Sequence, residues 1–326
     1  MRFFILFFFL LTLSCNLFSQ CFSSPGNPIG GTANMGILDK YTLRTISFFR
    51  HSYSDSYNIG SKKFNGKQLV NCAYYNYIGE IIGYGLFEKL SIETELGYFI
   101  NKTQKYTIND SVSDFVRGNG LSNIVVSGKF NVFKNDDKRF NLSASCGLKI
   151  PLSLHSQLVN GVENIEVQPS TGSYGIVLQT FLVKEKPFQA LRFFLINRYE
   201  TNFTNKSDYY ISGREYKFGD ALYTSVYISK HLHFRYAWLT ENWTAILQIR
   251  NELKEKNMLN DKWINASGSC IVLVSPQLNY TIKEKWNVSV IVDIPVYQYY
   301  YEMQLATKYA FTINITRDFL LNKKKL

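Results

Sequence analysis

The chain has 326 residues, 36 Lys and Arg against 25 Asp and Glu for a net charge of +11, and 23 Tyr and 25 Phe beside only 7 Pro. A mean hydropathy of -0.13 excludes a helical membrane protein, and no basic stripe with interleaved aromatics supports the nucleic-acid binding that such a charge suggests. An aromatic content of 16% favours strands and membrane interfaces instead.

Taken in order, the chain begins with Arg2, an apolar run from Phe3 to Leu13, and small or polar residues from Ser14 to Gln20. That is the layout of a Sec signal peptide over 1–20, too short to span a bilayer, with cleavage near Ser19 to Cys21. Thr12-Leu13-Ser14 before Cys15 loosely resembles a lipobox, so lipidation at Cys15 or Cys21 stays open. No later stretch is apolar for about 18 residues. An exported chain of this kind is either soluble and secreted or a barrel of a Gram-negative outer membrane. Residues 21–38, CFSSPGNPIGGTANMGIL, read as an irregular periplasmic lead-in or a plug.

From residue 40 a strand pattern sets in, predicting twelve strands over 40–53, 67–86, 90–106, 120–134, 139–151, 172–183, 189–201, 220–237, 243–253, 269–282, 286–298 and 304–319. Connections alternate. Those at Phe87 to Lys89, Asn135 to Lys138, Lys184 to Phe188, Leu239 to Asn242 and Lys283 to Lys285 are short; those at 54–66, 107–119, 152–171, 202–219 and 254–268 are long and polar. Short periplasmic turns and longer extracellular loops produce this rhythm, which only the brief connection at Tyr299 to Met303 breaks. The expectation is an all-β fold: one transmembrane antiparallel up-and-down β-barrel of about 12 strands over 39–319, with a basic tail at 320–326.

Parity assigns the faces. Leu90, Ile92, Leu96, Tyr98 and Ile100 oppose Ser91, Glu93, Glu95 and Gly97; Phe140, Leu142, Ala144, Cys146, Leu148 and Ile150 oppose Asn141, Ser143, Ser145, Gly147 and Lys149. Alternation alone also suits a soluble sandwich with its apolar face inward. Strand lengths, aromatics gathered at strand ends (Tyr53, Tyr84, Phe87, Tyr297, Tyr299) and the last strand favour the barrel. In that last strand Tyr309, Phe311, Ile313 and Ile315 share a face and Phe319 ends the run, as in a closing strand read by the barrel-assembly machinery. Its free edge is expected to pair with 40–53.

Several segments, each weak alone, resemble in order a family of outer-membrane barrels related to the group named for the MetA pathway of phenol degradation. They include Gly30-Gly31 to Gly36-Ile37-Leu38, IIGYGLFEKLSIETELGYF, GNGLSNIVVSGKF, LKIP, QPSTGSYG, YKFGDAL, DIPVY and QLATKYAFTINITRDF. Ser122 and Asn123 stand where relatives tend to carry Asp, and Ser170 where Gly is common. The resemblance implies an outer-membrane channel for passive uptake or efflux of small hydrophobic or aromatic molecules. The alternative is a structural or adhesive barrel binding partners through its loops.

By parity the interior receives Glu93, Glu95, Lys129, Lys149, Arg192, Arg198, Arg250 and Asp293, as a register-fixing ladder or a charged constriction. Loop and tail cations such as Lys62, Lys206, Lys256 and Lys323 suit outer-membrane lipid and lipopolysaccharide as partners. Ser229 and His231 share a strand face without any nucleophile motif, so no enzyme, metal site or cofactor is expected. The five cysteines show no spacing of a metal site or a disulfide scaffold.

Overall fold

The computed structural model describes residues 36–66, 70–108, 111–153, 157–159, 162–205, 215–232, 242–282 and 286–321. The expected signal peptide, lead-in residues 21–35, the expected turns at Leu239 to Glu241 and Lys283 to Lys285, and tail residues 322–326 lie outside them.

Twelve strands follow one another round a single closed barrel. The first six are β1 (Thr42–Ser54), β2 (Val70–Phe87), β3 (Leu90–Ile108), β4 (Asn123–Asn135), β5 (Phe140–Pro151) and β6 (Gly175–Lys186). The others are β7 (Leu191–Asn202), β8 (Ala221–Leu232), β9 (Trp243–Lys254), β10 (Ser269–Ile282), β11 (Trp286–Ala306) and β12 (Tyr309–Leu320). The all-β expectation holds, and the cylinder shuts where expected: β1 pairs with β12 from Thr42–Leu320 to Tyr53–Tyr309. Barrel closure removes the unpaired edge that a twelve-stranded open sheet would present.

Alternation resolves against the sandwich. On β5, Ser143, Ser145 and Lys149 are buried while Leu148 is 60% exposed; on β12, Thr312, Asn314 and Thr316 are buried while Ile313 and Ile315 are exposed. Outward apolar residues recur round the wall, among them Ile78, Ile92, Val126, Leu178, Val226, Ile249 and Val290. This inverts the distribution of a water-soluble domain.

The interior is not uniformly polar. Ile46, Phe48, Tyr75, Tyr77, Ile81 and Phe99 from β1, β2 and β3 cluster with Ile271, Leu273 and Tyr300 from β10 and β11. Two glycines make room for the rings: a Cβ at Gly79 would stand 2.1 Å from Phe48 Cζ, and one at Gly97 would stand 2.0 Å from the Tyr77 hydroxyl. At the short-turn end the incoming chain tucks inside. Leu38 is buried, its N–H donates to Ser91 Oγ at 3.0 Å, and the Tyr41 N–H donates to the Gly85 carbonyl at 2.8 Å. A Cβ on Gly85 would lie 2.0 Å from the Asp39 carbonyl oxygen, so backbone must move to admit it. Gly85→Ala is therefore expected to cost about 1–3 kcal/mol and to speed protease cleavage near residue 40 in the folded protein.

Two boundaries differ from the sequence reading. The long connection at 107–119 is a strand for much of its length: Ser111–Leu121 pairs with the upper part of β3, extending that hairpin beyond the rung at Tyr98–Leu121. Its polar composition hid the pairing because strand backbone is satisfied whatever the side chains. β11 runs to Ala306, past the expected end at 298, with a register shift between Tyr300 and Gln304. The connection expected at Tyr299 to Met303 thus falls within a bent strand paired to Ser56–Gly60, and only Thr307 and Lys308 separate β11 from β12. Asp293 still pairs with Ala310, so the intervening residues project beyond the last shared rung and return.

Candidate functional site

Period-two geometry sends every second residue inward, and the long charged side chains so placed reach one another across the interior. On β3 and β4, Lys129 Nζ lies 2.5 Å from Glu93 Oε1 and 4.1 Å from the ring centre of Phe181. Arg198 of β7 donates through Nη1 to both carboxylate oxygens of Glu95 at 2.8 and 2.9 Å, and through Nε to Glu200 at 2.6 Å. Lys149 of β5 approaches Glu200 to 3.5 Å and donates to Asn202. Glu95 and Arg198 lie on strands four apart in the barrel order, so their pair is a chord through the interior.

A second group centres on Asp293 of β11. Arg50 Nη2 lies 2.6 Å and Arg250 Nη2 3.1 Å from Asp293 Oδ2, and the Ser275 hydroxyl donates to Oδ1 at 2.5 Å. Arg250 also holds Glu252 at 2.8 Å, and Arg50 donates to the Tyr75 hydroxyl at 3.1 Å and to Thr312 Oγ1 at 2.9 Å. Across the two groups Arg50, Lys129, Lys149, Arg198 and Arg250 face Glu93, Glu95, Glu200, Glu252 and Asp293, five positive charges against five negative. Burying ions is costly unless each finds a counter-charge and its remaining hydrogen bonds. The pairing meets that requirement and balances these ten groups; Lys254 stands 3.9 Å from Glu252 beside them, and Lys102 is buried apart from them.

Of the residues that parity sends inward, Glu93, Glu95, Lys129, Lys149, Arg198, Arg250 and Asp293 are buried. Arg192 is not among them: its side chain is 60% exposed and pairs with Glu185 at 3.1 Å. It keeps the inward parity but stands one residue from the end of β7, where the barrel opens to solvent. Arg50, Glu200 and Glu252 were missed. Glu200 and Glu252 sit two positions after Arg198 and Arg250 and were legible from parity; Arg50 was masked by the adjacent aromatics Phe48 and Phe49, which blur the face assignment of β1. Lys102, fully buried, escaped because a bulge near Phe99 shifts the parity of β3.

The long-connection end is covered by loops. Lys102 Nζ donates to the Gln168 carbonyl at 3.0 Å, and Gln104 donates to Glu166 at 2.6 Å. Asn123 Oδ1 accepts from Ser170 Oγ at 2.8 Å and from the Thr171 N–H and hydroxyl at 3.2 Å each. Ile165, Tyr216, Phe218, Leu259 and Ile264 gather from three connections. Burial pushes the Glu166 carboxyl above its ordinary 4.5, against the opposing pulls of the Gln104 hydrogen bond and Lys102. The folded state therefore holds this proton to higher pH than the unfolded chain does, and stability falls as pH rises from 4.5 through the raised value. Glu166→Gln is expected to flatten that part of the pH dependence of the thermal midpoint, by up to a few degrees at neutral pH.

Ser229 is buried inside the barrel, whereas His231 Nδ1 lies 3.4 Å from Thr244 Oγ1. On β12, Tyr309, Ile313 and Ile315 point outward, and the Arg317 guanidinium lies 4.3 Å from the ring centre of Phe319 and 4.5 Å from that of Trp286. Cys72, Cys146 and Cys270 are free.

No family model and no curated protein matches the chain. Among solved structures, the crystal structure of an outer membrane channel from Pseudomonas putida F1 superposes with a TM-score of 0.67 at 11% identity, covering 89% of this chain and 100% of that one. The NanC porin follows at 0.46 and 11%, covering 83% and 98%, and the KdgM porin at 0.42 and 9%, covering 84% and 99%. The first shares the fold; the other two superpose too loosely to add to it.

Proposed function

We propose that this chain is an outer-membrane channel through which small uncharged solutes, apolar or aromatic in body, pass by diffusion. The observation that carries this reading is the interior: the charges of its two ion-pair groups balance five against five, and beside them runs an apolar arc of Phe48, Tyr75, Tyr77, Phe99 and Tyr300. An excess of one sign would select ions of the other; a balanced lining offers an ion no such gain. The apolar outer wall suits a hydrocarbon surround, and the fold shared with the Pseudomonas putida channel and the resemblance to the phenol-degradation group point the same way. Lipid, lipopolysaccharide and the barrel-assembly machinery are the partners this setting supplies.

Reconstitution tests the reading. In planar bilayers the protein is expected to give small single-channel conductance with a cation-to-anion permeability ratio near one, and flux of neutral solutes into liposomes. A barrel that conducts nothing and passes no solute would overturn it.

A further inference from the structure

On the inner face of β12 stands the one side chain among the described residues whose buried donor and acceptor both lack a partner. Asn314 of β12 is 1% exposed, and both its amide nitrogen and its amide oxygen lack a hydrogen-bond partner among the described residues. Its neighbour is otherwise engaged: Thr312, one inward position away, accepts from Arg50. Ser127 and Ser145 also lack partners, but each is a single rotatable hydroxyl, whereas Asn314 forfeits a two-proton donor and an acceptor together. A buried amide with neither end hydrogen-bonded to the protein is a penalty that folding alone does not explain.

The surroundings define what would answer it. In register, Asn314 lies between Phe48 on β1 and Ser289 on β11. The Phe48 ring leans over Gly79 on the far side, into space that a side chain there would fill, and so away from β12. Ser289 is small, and Ile46, Phe48 and Ile291 supply buried apolar surface within two rungs. Arg50, opposite Thr312 in register, is already satisfied by Asp293 at 2.6 Å. A charged group placed at Asn314 would lose its water and gain only a neutral amide in return.

We propose that Asn314 is a solute-binding residue, taking the hydroxyl or carboxamide of a small uncharged molecule whose aromatic or short aliphatic body rests against Phe48 and Ile291. This deepens the channel reading and rests on it. Both amide atoms are sealed from solvent in the unliganded barrel, so the solute enters by displacing a neighbouring side chain, and the missing hydrogen bonds are recovered on binding.

The test uses three fluorinated probes of one shape, 4-fluorobenzyl alcohol, 4-fluorotoluene and 4-fluorobenzoate, read by fluorine NMR against the full-length protein in detergent. The alcohol is expected to bind saturably and more tightly than the other two. Asn314→Leu, with the same branching at Cγ, should weaken the alcohol at least tenfold, leave the toluene unchanged and raise the thermal midpoint. Asn314→Thr, which repeats the residue type of Thr312 and Thr316 on the same face, supplies a second variant if Leu misfolds, with the same loss expected. Equal binding of the alcohol to native and variant protein, or no saturable binding, overturns the proposal. Single-channel conductance, measured on the same preparations, separates the two readings. Conductance with binding that ignores Asn314 removes this site and keeps the channel; Asn314-dependent binding without conductance or flux does the reverse.

Discussion

Asp293→Ala is expected to lower the unfolding free energy by about 3–5 kcal/mol, the range for removing one partner of a buried ion pair. The carboxylate is 1% exposed and stands between the guanidinium groups of Arg50 and Arg250, themselves 10% and 5% exposed. Deleting it leaves two like charges facing each other without water, and strips the Ser275 hydroxyl of its acceptor. Adding Arg50→Met should return part of the loss, because Arg250 keeps Glu252 and no unpaired cation then remains. Urea titration of the protein in lipid vesicles, followed by tryptophan fluorescence, measures all three. A change within about 0.5 kcal/mol for Asp293→Ala, the size of an ordinary surface substitution, would show the interior to be wet enough to screen the pair.

The second large effect belongs to Glu95 and Arg198. Their chord crosses the interior, so removing both side chains is expected to raise single-channel conductance. The single variants should shift the reversal potential in opposite senses. Glu95→Ala leaves one positive charge in excess and favours anions, while Arg198→Ala leaves Glu95 without its cation and favours cations. Arg198→Ala should also cost about 3 kcal/mol or more, since it strands the Glu95 carboxylate and leaves Glu200 only Lys149, whereas Glu95→Ala leaves Arg198 its bond to Glu200 and costs less. Identical reversal potentials in the two variants would mean that ions do not pass this chord.

Much of the architecture was legible because a barrel writes itself in period two. The spacing of Phe140 to Ile150 and of Tyr309 to Ile315 gave both the strands and their faces, and closure of β12 on β1 followed from the need to leave no edge. The charged interior was legible for the same reason at Glu93, Lys129, Lys149 and Asp293. What failed did so where the period slips. The bulge in β3 turned Lys102 inward, adjacent aromatics concealed Arg50, and the bend after Tyr300 moved the last connection to Thr307 and Lys308. Contacts across the interior, such as Glu95 with Arg198, depend on curvature that no local pattern records. Nor does sequence distinguish Asn314, which lies unpartnered, from Thr312 two residues before it, which does not.

The seam between β1 and β12 bears on how the chain acquires its structure. Arg44 holds Asp318 at 2.6 Å across 274 residues of sequence, and Arg50 holds Thr312 across 262. Neither contact exists until almost the whole polypeptide is in place, so the largest loop-closure entropy falls on the last step. Until then Arg50 has no Asp293 beside it, and a sheet that has yet to curl leaves acid and base on distant strands. Completion is thus coupled to neutralisation. A curved intermediate stopped short of closing would carry unmatched charges on its concave face, a reason for it either to finish or to fall back.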